Sequence, residues 1–135
     1  MSSSNKKSQR ILLPTSNGFT SFWIKDLIYF ESHNIYSYIN YQGKNIFCGL
    51  SLKNLEQLLN SKEFYRCHKS FIVNINNIVN IPKGTANHLT MSSGKSVPFS
   101  RRKNNEFWNH IRLHSPTVNE HKHSSNKVPR ILEAS

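Results

Sequence analysis

FYRCHKSFIVNINNI, Phe64 to Ile78, is the stretch on which the reading of this chain turns. It opens with a hydrogen-bonding cluster, Arg66, Cys67, His68, Lys69 and Ser70, and runs straight into the apolar Phe71-Ile72-Val73. Aromatic and β-branched residues suit a half-buried pleated surface. A strand held by a core is therefore expected to present a basic tip to solvent. An Asn-rich turn, Asn74 to Asn77, closes the stretch. Between Glu63 and Glu106 there is no acidic residue, while the same span holds seven Lys or Arg. A field so one-sided repels itself in the folded state and suits a polyanion.

The whole chain repeats this bias. Its 135 residues fit one domain with room for tails, and its net charge of +11 points to nucleic acid or an anionic membrane surface as partner. The apolar fraction of 36% is low and the aromatic fraction of 11% ample, which together suggest an ordered centre with polar ends. No apolar run approaches the ~20 residues of a spanning helix, so membrane insertion is not expected. The N-terminal MSSSNKKSQR has lysines but no apolar stretch behind them, unlike a secretory signal. Two cysteines, Cys48 and Cys67, build no disulfide framework and fit a reducing, cytoplasmic setting.

Outward from the central stretch, the pattern predicts short strands with one helix in the middle and one at the end. Residues 1–9 read as a disordered N-terminal tail, 10–113 as the folded domain, and 114–135 as a disordered polar C-terminal tail. Ile11-Leu12-Leu13 is followed by Pro14 and a Ser16-Asn17-Gly18 turn. Phe19–Ile24 and Leu27–Phe30 read as strands. Tyr36–Tyr41 alternates, with Tyr36, Tyr38 and Asn40 on one face and Ser37, Ile39 and Tyr41 on the other. Gln42-Gly43-Lys44 is a hairpin turn returning through Asn45–Cys48. Ser51 is placed to cap a helix whose apolar stripe is Leu52, Leu55, Leu58 and Leu59. Further strands are expected over Phe71–Ile75, Ile78–Ile81, His88–Met91 and Ser96–Phe99. The last helix starts at Ser100 and buries Phe107, Trp108 and Ile111. The class is mainly β, or α+β.

Two basic clusters carry the chemistry. Arg101, Arg102 and Lys103 follow Ser100 in the first turn of the last helix, where cations oppose the macrodipole. Facing a phosphate, the same cations, the dipole and the free N–H groups all favour the anion. Arg66, His68 and Lys69 offer donors for phosphates and base edges. Other chemistries find less support. Cys67 and His68 are adjacent in a strand, hence aimed at opposite faces, and no third group orients them as a nucleophile and base. His110, His114, His121 and His123 lack the spacing and companions of a zinc site. The tyrosines Tyr29, Tyr36, Tyr38 and Tyr41, with Phe30, form either a stacking platform for single strands or, as their alternation favours, ordinary sheet packing. No catalytic residue, metal or cofactor is expected.

These residues resemble the LytTR-type (LytR/AgrA) DNA-binding domain of bacterial response regulators. IKDLIYFESHNIYSYI is similar to the opening strands of that family, with Glu31 and Tyr36 at its acidic and tyrosine positions. SLKNLEQLL resembles its internal helix. FYRCHKSFIVNINNI resembles its hallmark Arg-x-His-x-Ser sequence leading into an apolar strand, and GKSVPFSRRKNNEFW its closing strand and Ser-Arg helix start. The likeness covers about Ile11 to Ile111. It implies an elongated fold of small antiparallel sheets with short helices. Loops, rather than a recognition helix, would enter successive major grooves of a direct-repeat duplex site. It implies DNA contacts at Ser37, at His68, Lys69 and Ser70, and at Arg101, Arg102 and Lys103, with Lys69 and Arg102 facing bases. Arg66 belongs with this set through its charge. Lys69 stands where the family often has Arg or Asn, and Asn34-Ile35 replaces its usual Gly-Asn.

The expectation is thus a cytoplasmic bacterial transcription regulator that reads duplex DNA in a sequence-specific way and has room to act as a homodimer on DNA or under a regulatory protein partner. Residues 1–9 offer no receiver domain, so the expected regulator stands alone. The rival is a binder of RNA or single strands indifferent to sequence. A second rival, an enzyme built on Cys67 and His68, would lose its function on Cys67→Ser.

Overall fold

The computed structural model describes residues 9–82, 87–99 and 104–114. Apart from Gln9 and His114, the expected tails 1–9 and 114–135 lie outside the described residues, as does the Arg101–Lys103 cluster.

A five-stranded antiparallel sheet organises the molecule. Strands β1 (Arg10–Thr15) and β2 (Gly18–Trp23) form a separate hairpin, and a turn of 3-10 helix, Ile24–Asp26, leads to β3 (Leu27–His33). After β4 (Tyr36–Tyr41) and β5 (Lys44–Cys48) comes helix α1 (Leu52–Leu58), then β6 (Phe64–His68) and β7 (Phe71–Asn74). The sheet order is β5-β4-β3-β7-β6. Another 3-10 turn, Ile75–Asn77, precedes β8 (Ile78–Asn80), which with β9 (His88–Met91) and β10 (Ser96–Pro98) makes a three-stranded sheet in the order β10-β9-β8. Helix α2 (Asn104–His114) closes the described chain. The fold is mainly β in small antiparallel sheets with two short helices, as the sequence leads one to expect.

Local chemistry explains the turns. Gln42 and Gly43 both have left-handed backbones, φ 53° and 87°, the pair required by a tight turn whose twist matches its strands. Asn34, at φ 60°, occupies the same region in the β3–β4 turn, where an Asn side chain tolerates it better than most. Pro14 does not end β1. The strand runs on to Thr15, Pro14 opposite Phe19, in a two-stranded hairpin where one missing N–H is tolerated.

Two cores lie against the sheet. One gathers Leu13 and Phe22 from the β1–β2 hairpin, Phe30, Ile39 and Ile72 from the sheet, and Leu52, Leu55 and Leu59 around α1. The other gathers Tyr29, Cys67 and Val73 from the sheet, Leu89, Met91 and Val97 from β9 and β10, and Phe107, Trp108 and Ile111 from α2. Each fully buried side chain of this size contributes ~1.5–3 kcal/mol. The α1 stripe is narrower than its leucines suggest, because Leu58 is half exposed while Leu52, Leu55 and Leu59 are buried.

The Asn-rich segment after β7 is a structural tie. Asn74 is buried, and its amide nitrogen donates to the carbonyls of Ile24 (3.2 Å) and Leu27 (2.9 Å). Its side-chain oxygen accepts from the Asn76 N–H at 3.0 Å, and the Asn77 amide donates to Lys25 O and Leu27 O, both at 3.1 Å. Two asparagines thereby satisfy the carbonyls of the 3-10 turn that strand pairing leaves open.

Candidate nucleic-acid interface

The basic cluster of the central stretch is not the entrance to one strand but the end of a hairpin. Phe64–His68 is itself a strand, β6, at the edge of the five-stranded sheet, and Lys69-Ser70 is the turn into β7. Pairing shifts register between Arg66 and His68, a bulge that leaves Cys67 without a partner residue across the ladder. The turn is moored to the neighbouring strand, since Ser32 N donates to Ser70 O at 2.9 Å. The β3–β4 turn, Asn34-Ile35, therefore comes off the same end of the sheet, with Ile35 exposed at its tip.

Within this tip the expected residues take different roles. Lys69 is exposed, its ammonium free to meet an anion. His68 is half-buried, its ring against Phe71 at 6.0 Å between centroids. Its Nδ1 accepts from the Ser70 N–H at 3.0 Å, which places the proton of the neutral ring on Nε2 and makes that nitrogen a donor. Ser70 is half-buried.

Arg66 does different work. Its Nε donates to His68 O (3.2 Å), one Nη to Lys69 O (2.6 Å) and the other to Glu56 Oε1 (2.8 Å). The guanidinium thus spans the carbonyls of His68, at the end of β6, and Lys69, in the turn, with a carboxylate from α1 behind it. Glu56 is a residue that sequence reasoning missed. It lies ten positions upstream on the helix, and no local spacing couples it to Arg66.

Ser37 departs from its expected role. It is fully buried, and its hydroxyl donates to Leu50 O at 2.7 Å. A side chain with no exposure cannot meet DNA, so Ser37 falls outside the candidate surface. Its alternation with Tyr36 and Tyr38 turns it inward beside Ile39, and Tyr36 is the exposed residue of that strand end.

Cys67 is likewise buried, its thiol aimed at Pro98 O (3.5 Å) and Phe71 O (3.9 Å). The contact fastens β10 to the β6–β7 hairpin at Pro98, the last residue of β10. With the thiol turned inward and His68 Nδ1 occupied by Ser70, the two side chains do not form a nucleophile–base pair. Among the described residues, no group of three or more His, Cys, Asp or Glu comes together in a way that could hold a metal. Nor is any of the described helices long and apolar enough to cross a membrane.

The tyrosines mostly serve packing. Tyr29 is buried, and burial followed by the nearby Glu31 charge pushes its hydroxyl pKa up. Tyr41 meets Phe22 edge-on at 4.8 Å and accepts from Trp23 N at 3.1 Å. Tyr36 and Tyr38 both set their rings edgewise to Phe47. Tyr65 donates to Glu106 at 3.3 Å, and burial first, then the Glu106 charge and hydrogen bond, raise its pKa strongly.

Residues 17–112 match the family model described as the LytTr DNA-binding domain. The fold is similar to the solved LytTr DNA-binding domain of a Bacillus cereus protein described as a methyl-accepting/DNA response regulator. Its TM-score is 0.65 and its identity 31%, over 76% of this chain and 95% of that one. No curated protein matches. With the family model spanning most of the chain and a solved relative sharing the fold, the protein belongs to the LytTR DNA-binding domain family and is a DNA-binding transcription regulator.

Proposed function

We propose that this chain reads duplex DNA in a sequence-specific way through the turns at one end of its five-stranded sheet, two copies occupying a directly repeated site. The observation that carries this reading is the Lys69-Ser70 turn. It is exposed at Lys69, moored to β3 through Ser70 and fixed internally by His68. A preorganised turn with an exposed cation and a histidine donor has the chemistry to enter a major groove and meet base edges. In this reading Lys69 and Arg102 face bases, His68 and Ser70 set register, and Arg101 and Lys103 neutralise phosphates. Counterion release then supplies most of the affinity and makes it fall steeply with salt. DNA as partner puts the protein in the cytoplasm. No observation favours the single-strand reading, which needs open aromatic faces where the structure has tyrosines packed edge-on.

Selection of bound duplexes from a random pool at about physiological salt tests the proposal. Recovery of paired short motifs in direct repeat is the expected result and gives the half-site spacing. Recovery of duplex without a motif, or a preference for single strands, overturns it.

A further inference from the structure

The Arg66–Glu56 pair is oddly placed for a phosphate contact. Arg66 carries charge beside the candidate surface, yet its guanidinium already spans two successive backbone carbonyls and a carboxylate, with the short 2.6 Å contact on Lys69 O. Turning the planar fork as a bidentate pair onto a phosphate means surrendering at least one of those bonds and loosening the turn carbonyls. Glu56 adds a second oddity. It is one of only seven acidic residues in the chain, and it stands next to the one turn where a negative charge most opposes DNA. Electrostatics alone makes it a liability there.

Both features make sense together. We propose that Arg66 and Glu56 are positioning residues, a clamp that fixes the Lys69-Ser70 turn in its DNA-reading shape without touching DNA. The planar fork suits the task because its N–H groups lie in one plane at fixed angles, so binding His68 O and Lys69 O together fixes the path of the chain between them. Glu56, anchored on α1, fixes the fork in turn. It bonds the guanidinium from the side away from the turn carbonyls and sets its rotation. The clamp acts where the ladder ends, because Lys69 and Ser70 form a turn just past the strand bulge between Arg66 and His68, and strand pairing alone does not dictate the backbone there. A carboxylate that repels DNA at long range thus serves DNA reading at short range.

The inference rests on the proposed reading of the turn as a DNA-facing element, and the test separates the two. Binding of the selected duplex and of random duplex is measured across a salt series for Glu56→Ala, Arg66→Lys, Arg66→Ala and Lys69→Ala, each first shown to be folded by circular dichroism. The clamp requires Glu56→Ala to weaken binding to the selected duplex by roughly three- to tenfold, as expected for a coupled network, with a smaller loss on random duplex. Removing a negative charge near DNA would otherwise tighten both. Arg66→Lys keeps the charge but loses the fork, and its affinity falls with an unchanged salt slope. Arg66→Ala likewise leaves the slope unchanged, whereas loss of a phosphate contact lowers it by about one. Equal or tighter binding by Glu56→Ala, or a reduced slope for Arg66→Ala, overturns the clamp. Unchanged binding by Lys69→Ala overturns the DNA-facing reading itself. A weakened Lys69→Ala beside an unaffected Glu56→Ala overturns the clamp alone.

Discussion

Ser37 and Lys69 lie on one sheet and separate two kinds of polar residue. The Ser37 hydroxyl answers a carbonyl inside the fold; the exposed Lys69 ammonium meets no partner among the described residues. Ser37→Ala should therefore leave DNA affinity unchanged while costing about 1–2 kcal/mol of stability, since Leu50 O is left without its donor. Lys69→Ala should leave stability almost unchanged, cost about 1–3 kcal/mol on the selected duplex and relax sequence choice. Urea titration and fluorescence anisotropy check the two halves. The contrast also shows how much of the site was legible. Alternation along Tyr36–Tyr41 already groups Ser37 with Ile39 and Tyr41, the inward side, and only the family likeness draws it outward. Where the period of a strand and a transferred role disagree, the period decided. Glu56 was not legible at all, because its partner is set by how α1 docks on β6, a tertiary fact that no local pattern carries.

At the scale of elements, periodicity served best where one face is buried and the other wet. The α1 stripe at Leu52, Leu55 and Leu59 could be read directly, as could the buried Phe107, Trp108 and Ile111 of α2. Leu58 was read onto the stripe because it is apolar, although it is rotated off the line of the other three. Strand β6 is hard to read because Arg66 to Ser70 looks like one polar cluster and the bulge breaks the alternation. Helix α1 is too short to stand without support, so its cap matters. The Ser51 hydroxyl accepts from Asn54 N at 3.2 Å, and Ser51→Ala should cost about 1 kcal/mol in a urea titration. Ser51→Asp should restore it, because a carboxylate accepts the same N–H and favours the helix start.

For the molecule as a whole, the electrostatic balance predicts an alkaline limit to stability. Burial pushes the Cys48 thiol above its ordinary 9.0, against hydrogen bonds from the Leu50 backbone and Ser37 that lower it. Burial, with Glu31 and Glu106 respectively, pushes Tyr29 and Tyr65 above their ordinary 10.0. In each case the unfolded chain releases its proton first while the folded protein still holds it. Stability from these groups is complete below the ordinary values and is lost as pH rises through the folded ones. Thermal unfolding should show a melting temperature that declines progressively once pH passes 9.0 for the thiol and 10.0 for the phenols. A melting temperature that stays level across that range would contradict the assignment.

The two cysteines lend the molecule one more property. Cys48 belongs to the core that α1 and the β1–β2 hairpin complete, and Cys67 to the core that β9, β10 and α2 complete; neither side chain is exposed. Each thiol is shielded from an alkylating reagent until its own core opens, so the protein carries one chemical clock per core. Digestion and mass spectrometry during slow alkylation would time the two separately. Equal rates would mean that both layers come off the sheet in a single cooperative event. A faster Cys67 would mean that the layer made by β9, β10 and α2 opens on its own while the rest of the fold stays intact.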